Sequence, residues 1–210
     1  MMPLPNLLLV VSGPSGAGKS TLCDRFTDAS PETEMVVTTT TRRRRSNETD
    51  GIDYHFLGRE EFEQRIAREE FLEYAEVHGN FYGSPIADVK RLMAAGKDVI
   101  LEIDVQGGLN VRKKFPEVLL IYVTPSDLTA LRRRLSGRGT ESEADIRRRI
   151  SNARNELATL PEYDYLVIND QLDQAVDRLR AIVRSEKQRI ERYERQSLLD
   201  SLIKGAEGLQ

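Results

Sequence analysis

Leu7–Val11 is the longest unbroken aliphatic run in the chain, and it stops at Ser12-Gly13-Pro14. A short apolar run closed by turn residues predicts a buried strand followed by a loop. From Gly18 to Ala29 the apolar residues Leu22 and Phe26 lie four apart, which predicts a helix directly afterwards. Glu34–Thr41 is rich in β-branched residues and reads as a second strand. Arg42–Gly51 is polar and charged up to its closing glycine, so it reads as an exposed loop. A short strand at Tyr54–Leu57, a helix around Glu60–Arg68 and strand-like pieces at Phe71–Val77 and Phe81–Gly83 follow. The helix expected over Pro85–Ala95 opens on proline and stops at Gly96.

Asp98–Ile103, Val118–Thr124 and Asp164–Ile168 are strand candidates. Helices expected at Val105–Lys114, Ser126–Leu135, Glu143–Leu160 and Gln171–Arg195 separate and follow them. Strand alternating with helix predicts an α/β fold, a parallel sheet covered on both faces. Thr38–Tyr82 breaks that rhythm with several short strands and reads as a small inserted subdomain. The last helix carries a seam of Leu172, Val176, Leu179, Val183, Ile190 and Tyr193, interrupted at Glu186. Packing on the core is the common reason for such a seam, and a dimer contact the rarer one. The tail after Gln196 is expected to be loosely held.

Composition narrows the picture. A chain of 210 residues with 39% apolar positions suits one compact domain. No apolar run approaches the ~20 residues of a membrane span, and no leader-like segment with a basic start and a small-residue cleavage site is visible. The single cysteine, Cys23, excludes an internal disulfide and suits a reducing, cytoplasmic setting. With 31 basic against 34 acidic residues the net charge is −3, which argues against bulk nucleic-acid binding. A polyanionic ligand would have to be drawn by local clusters, which Arg42–Arg45, Arg132–Arg134 and Arg147–Arg149 supply.

The sharpest motif is Gly13-Pro14-Ser15-Gly16-Ala17-Gly18-Lys19-Ser20, a complete G-x-x-x-x-G-K-[ST] phosphate-binding loop. Glycines let the backbone curl so that successive N–H groups point at phosphate oxygens, and the following helix presents its positive end to the same anion. Lys19 is placed to bridge the β- and γ-phosphates, and the Ser20 hydroxyl to ligate Mg²⁺. The alternative is an ordinary glycine-rich turn, but average residue usage makes a chance match about 1% in a chain of this length. The position between a predicted strand and a predicted helix is the one the motif requires.

Two further patterns are weaker alone. Asp98–Asp104 is an apolar strand running into Glu102 and Asp104, which period-two geometry would place on one face at the carboxyl end, where open α/β sheets bind ligands. Asp104 is then placed to hold Mg²⁺ directly or through water, and Glu102 to accept hydrogen bonds from a second substrate. Thr40-Thr41-Arg42-Arg43-Arg44-Arg45 is a basic run of the kind usually found in a solvated loop. Arg42 and Arg45, three apart, are able to grip one phosphate with forked donors.

At these residues the chain resembles guanylate kinase, from about Leu7 to Arg195. The resemblance is carried by Ser12–Thr21, Thr40-Thr41-Arg42 with Arg45, Asp50–Phe56, Phe71–Gly83, Glu102–Gly107 and Arg134–Thr140. It implies a P-loop NTPase core with a parallel sheet flanked by helices, a small mixed α/β GMP-binding subdomain inserted in it and a short lid. In this division the core takes 1–37, 91–131 and 155–197, the GMP-binding subdomain 38–90, the lid 132–154, and a loose tail 198–210. It implies ATP and GMP as substrates, Mg²⁺ carried as MgATP, no nucleic-acid or membrane partner, and a monomer or homodimer.

The resemblance also implies site residues. Gly13–Thr21 and Asn169 would bind ATP. Arg42, Arg45, Tyr54 and Tyr82 would hold the phosphate of GMP, with Thr38, Glu73, Ser84 and Glu102 reading guanine and Asp104 beside them. Lys19, Arg42 and the lid arginines Arg134, Arg138 and Arg149 would act in catalysis, with Gly137 and Gly139 allowing closure. Guanine offers N1–H and N2–H₂ as adjacent donors, which a carboxylate accepts in pairs. Ordinary packing for the tyrosines, a surface place for Glu73 and Ser84, a helix cap for Asp170, and a balanced charged helix face for the lid arginines are the plainer readings.

The family usually has serine where Thr38 stands, proline where Arg44 stands and proline-glycine in place of Ser46-Asn47. His55 and His78 lack metal-ligand spacing and read as structural, and Cys23 as a small buried hydrophobe. The expected reaction is direct in-line transfer from MgATP to GMP, also to dGMP, in purine nucleotide metabolism. A kinase of the same architecture for a substrate such as ribose 1,5-bisphosphate, and a non-catalytic phosphopeptide-binding module, are the rival readings.

Overall fold

A computed structural model of the chain describes residues 4–46, 48–77, 79–136, 142–194 and 198. The elements run β1 (Leu8–Ser12), α1 (Lys19–Asp28), β2 (Thr33–Met35), β3 (Thr39–Thr40), β4 (His55–Phe56), α2 (Arg59–Ala67), β5 (Phe71–Val77), β6 (Asn80–Pro85) and α3 (Ile86–Ala94). They continue β7 (Asp98–Glu102), α4 (Val105–Lys114), β8 (Leu119–Thr124), α5 (Leu128–Ser136), α6 (Glu143–Leu157), β9 (Tyr165–Ile168) and α7 (Leu172–Glu186).

Five parallel strands form the main sheet in the order β2-β7-β1-β8-β9. The apolar run that opens the chain is its central strand, and every residue of β1 is buried. Strand alternation divides the run between two layers. Leu7, Leu9 and Val11 pack with Leu22 and Phe26 of α1 and with Ala175, Leu179 and Val183 of α7. Leu8 and Val10 pack with Val89 and Leu92 of α3 and Val111 of α4 on the other face. Each such side chain contributes roughly 1.5–3 kcal/mol on removal from water, so this strand fixes where its carboxyl end, and the loop after it, must lie.

A second sheet has the order β4-β3-β6-β5, mixing one parallel and two antiparallel pairings. It occupies the segment that broke the strand-helix rhythm. The single strand expected over Glu34–Thr41 is two strands in different sheets. Val36 N–H makes a last bond to Ile100 C=O at 3.0 Å, and Thr38 C=O then accepts from His55 N–H at 2.9 Å. β-Branched side chains favour extended backbone, and they do not say which sheet it joins. A third cluster, Leu131, Leu135, Ile146 and Ala153, joins α5 to α6 independently of the main core.

Two expected helices are shorter than their patterns. α6 stops at Leu157, and a 3₁₀ turn at Leu160–Glu162 contains Pro161. α7 ends at Glu186, where the apolar seam is interrupted. The Glu186 carboxylate is fully buried, accepting from Tyr165 Oη at 2.6 Å and Arg192 Nε at 3.0 Å, which turns the following chain back onto the domain. No helix among the described residues is long and apolar enough to cross a membrane.

Candidate active site

The phosphate loop joins β1 to α1 at the carboxyl end of the main sheet. Gly13 has φ +139°, and a Cβ there would stand 2.0 Å from Val123 O, so only glycine lets the loop pass so close to β8. Gly18, at φ +83°, is the residue before the first turn of α1, and a Cβ on it would meet Asn169 Nδ2 at 2.7 Å. Asn169 is buried and donates to the carbonyls of Ala17 at 2.9 Å and Gly18 at 3.4 Å, tying the end of the loop to the end of β9. Asp170 does not cap α7, whose cap position is Gln171; it accepts from Ser126 N–H at 3.0 Å.

Lys19 turns back over the loop and donates from Nζ to Gly13 O at 2.7 Å and Pro14 O at 3.3 Å. Burial holds its pKa below the ordinary lysine value, against the opposing pull of Glu102. Ser20 Oγ donates to Glu102 Oε1 at 2.8 Å. Burial pushes the Glu102 carboxyl up, with Lys19 and Ser20 opposing. Thr21 is exposed in the first turn of α1. Glu102 is the last residue of β7, but Asp104 is not on that strand. Its side chain caps α4, accepting from Gly107 N–H at 2.8 Å, so strand alternation does not relate the two carboxylates. Both still lie at the carboxyl end of the sheet, and the charge of Asp104 acts on Lys19, Glu73 and Glu156.

A second set of candidate residues comes from the inserted sheet. Thr40 Oγ1 donates to Phe81 O at 2.8 Å and accepts from Arg42 N–H at 3.1 Å, while Thr41 Oγ1 accepts from Phe81 N–H at 2.8 Å. These threonines fix the point at which the chain leaves β3 and launches the arginine loop. The Arg42 guanidinium lies 5.4 Å from the centre of the Tyr54 ring and 5.9 Å from that of Phe56, a cation–π contact with both. Tyr54 and Tyr82 meet edge to face at 6.2 Å, and Tyr82 lies close enough to Arg42 to help hold its pKa up. Arg45 is largely exposed.

On the same sheet, Ser84 Oγ donates to Glu73 Oε1 at 2.8 Å. Both are buried, and Glu73 Oε2 stands 2.9 Å from where a Cβ on Gly107 would be. Burial drives the Glu73 pKa up to about 7, with Ser84 and Lys114 opposing and Asp104 adding to it. Thr38 is half-buried, and its carbonyl is taken by His55. One carboxylate acts on both sets. The charge of Glu102 acts on Lys19 and also on the Tyr54 phenol, which lies against Arg42.

The guanylate kinase family model matches residues 6–186 of the chain. The chain belongs to the guanylate kinase family. It is 46% identical over 186 residues to a guanylate kinase of Desulfitobacterium hafniense, covering 89% of this chain and 93% of that one. It is 47% identical over 186 residues to a guanylate kinase of Halalkalibacterium halodurans, covering 89% and 91%. Among solved structures it is similar to the crystal structure of guanylate kinase from Anaplasma phagocytophilum, with TM-score 0.78, 30% identity, and 96% and 97% of the two chains covered.

In this guanylate kinase chain the arginines of α5 and α6 reach the phosphate loop. Arg134 Nη1 donates to Ala17 O at 3.1 Å and Nη2 to Asn169 O, so it is anchored to core carbonyls. Arg149 Nη1 donates to Ser15 Oγ at 3.1 Å. Arg138, with Gly137 and Gly139, lies outside the described residues, as does His78. The neighbouring arginines follow the balanced-surface reading, Arg132 pairing with Glu143 and Arg148 with Asp145 at 2.8 Å. His55 stands 3.9 Å from Asp88, and Cys23 is fully buried.

Two acidic residues of the site went unmarked in the sequence. Glu48 accepts from Arg42 Nη2 at 2.6 Å and from Arg45 N–H at 2.8 Å. The signal was an acid three residues beyond Arg45 in a basic loop. Glu156, partly buried on α6, acts electrostatically with Lys19 and Asp104, and its Oε2 has no hydrogen-bond partner. It lies seven residues after Arg149, two helical turns along the same face.

Proposed function

We propose that this cleft carries out the guanylate kinase reaction, ATP + GMP ⇌ ADP + GDP, by direct in-line phosphoryl transfer. Family membership makes the chain an enzyme that phosphorylates GMP to GDP with ATP. The roles of individual residues, the use of dGMP and a place in purine nucleotide recycling are our reading. The observation that supports it is a pair of anion-binding groups, Lys19 in the glycine loop and Arg42 packed on Tyr54, with the charge of Glu102 acting on Lys19 and on Tyr54.

On the donor side, loop N–H groups and the α1 terminus receive the ATP phosphates, and Lys19 exchanges the Gly13 and Pro14 carbonyls for phosphate oxygens. Arg149, beside Ser15, adds positive charge over the group in flight, and Arg134 steadies the loop from behind. Asn169 supports the loop through its amide, and its carboxamide oxygen is the atom left to meet adenine.

On the acceptor side, Arg42, Arg45, Tyr54 and Tyr82 grip the GMP phosphate. Glu73, paired with Ser84, accepts from guanine N1–H and N2–H₂. Glu102 joins them in reading guanine, and its charge acts on Lys19 and on Tyr54 as well. An anionic phosphate is already the nucleophile, so alignment and charge neutralisation do the work, and no general base is required.

Guanylate kinases use ATP with a divalent metal. The donor set fits Mg²⁺: Ser20 Oγ and Glu102 Oε1 are hard oxygen donors 2.8 Å apart at the foot of the loop. Among the described residues no group of three or more His, Cys, Asp or Glu is placed to hold a metal ion. Ser20 and Glu102, with Asp104 nearby, would hold it, and when bound it would offset phosphate charge.

Arg42→Ala and Arg45→Ala test the acceptor assignment. Loss of a charge-assisted bond to phosphate, about 1.5–3 kcal/mol, raises KM for GMP roughly 10- to 150-fold while KM for ATP stays put. Unchanged KM for GMP in both variants would remove the phosphate of GMP from these arginines.

A further inference from the structure

The loop that supplies Arg42 and Arg45 lacks the rigid turn residues of the family pattern, carrying Ser46-Asn47 instead. Something else must fix two long, entropically costly side chains on one target. Glu48 has the geometry for that. Its N–H donates to Arg45 C=O at 3.2 Å, and its Oε2 accepts from Arg45 N–H at 2.8 Å, so the two residues are joined twice, in opposite directions. Its Oε1 takes Arg42 Nη2 at 2.6 Å. The Glu48 side chain is only 9% exposed although the loop around it is open.

Arg42 is therefore held on several sides, by Glu48, by Arg43 O at 2.9 Å and by the Tyr54 and Phe56 rings. The Arg45 guanidinium comes no nearer to Glu48 than 3.9 Å, and its side chain is 70% exposed, so the carboxylate fixes the backbone of Arg45 and leaves its fork for another anion.

We propose that Glu48 is the positioning residue of the acceptor-phosphate grip, bracing Arg42 and the Arg45 backbone so that both guanidinium groups meet the phosphate of GMP already oriented. This rests on the assignment of Arg42 and Arg45 to that phosphate. The carboxylate is kept ionised for the task, since Arg42 and the Arg45 N–H hold its pKa below the ordinary glutamate value. The bracing carries an electrostatic cost, because Glu48 cancels part of the positive charge that draws the phosphate in. The proposal therefore has a sign. If positioning dominates, removing the carboxylate weakens GMP binding. If Glu48 were merely a resident anion competing for the site, its removal would tighten it.

The experiment compares Glu48→Ala and Glu48→Gln with the unaltered protein. KM and kcat are measured for GMP and ATP, and calorimetric affinities for GMP and for guanosine, which lacks the phosphate. The expected result is a KM for GMP raised about tenfold or more in Glu48→Ala and less in Glu48→Gln, which keeps one acceptor oxygen. Guanosine affinity and KM for ATP hold steady. In an Arg42→Lys background Glu48→Ala should cost less than it does alone, because one of the two arms it braces has lost its fork and only the Arg45 backbone is left to be freed. A lower KM for GMP, no change, or a joint loss of guanosine and ATP binding would each overturn the proposal. Arg42→Ala measured alongside separates the two claims. If that variant binds GMP normally, the grip itself is misassigned; if it binds GMP poorly while Glu48→Ala binds it well, only the brace is wrong.

Discussion

Guanine recognition should titrate near neutrality, because the carboxyl assigned to it is buried and its pKa is driven up to about 7. Only the ionised form accepts both guanine donors. For a pKa of about 7, roughly a tenth of Glu73 is ionised at pH 6 and roughly nine-tenths at pH 8, so kcat/KM for GMP should rise nearly tenfold over that interval. A phosphate monoester has its own second ionisation near ~6, which moves GMP in the same direction. Glu73→Gln removes the first titration and keeps the second, so the ratio of the two proteins isolates Glu73.

Stability should move the opposite way. Below about pH 4.5 the carboxyl is neutral in both folded and unfolded chains. As pH rises through about 7, the unfolded chain releases the proton first and the folded protein loses up to about 3 kcal/mol. Glu73→Gln escapes that loss, and chemical denaturation at pH 5 and pH 8 measures it. The assay is ADP release at subsaturating GMP and saturating MgATP in half-unit steps from pH 6 to 8. A wild-type to Glu73→Gln ratio that stays flat across that range would refute the reasoning.

Other consequences are as direct. Lys19→Ala should lower kcat by several orders of magnitude while leaving calorimetric GMP affinity intact, since Lys19 lies on the donor loop. Gly13→Ala puts a methyl 2.0 Å from Val123 O at φ +139°, so it should abolish ATP affinity and lower the unfolding free energy by at least about 1–3 kcal/mol. Asn169→Ala removes the amide that holds the Ala17 and Gly18 carbonyls. It should cost about 1–3 kcal/mol in denaturant unfolding and raise KM for ATP without touching KM for GMP.

The main sheet was legible because Leu7–Val11 and Val118–Thr124 are continuous apolar runs, which only a central parallel strand buries on both faces. The phosphate loop was legible because its spelling is set by backbone geometry. The break between Met35 and Thr39 was not, since the choice of sheet depends on partners more than 15 residues away in the chain, Ile100 among them. Asp104 misled for a related reason. Period two holds only while the strand lasts, and β7 stops at Glu102. Glu48 was overlooked because one acid three residues beyond Arg45 is a weak signal, and its meaning lies in where the loop closes. α7 ended early because a buried charge, Glu186, collected Tyr165 and Arg192, a long-range event that helical periodicity cannot encode.

On this reading one cleft aligns a guanine-bearing phosphate with ATP, and a direct comparison of acceptors tests it. With saturating MgATP, ADP release should be at least about a hundredfold faster per unit concentration of GMP than of AMP, because adenine sets an acceptor against Glu73 and leaves buried groups unpaired. Equal rates with AMP, or no release with GMP, would contradict it.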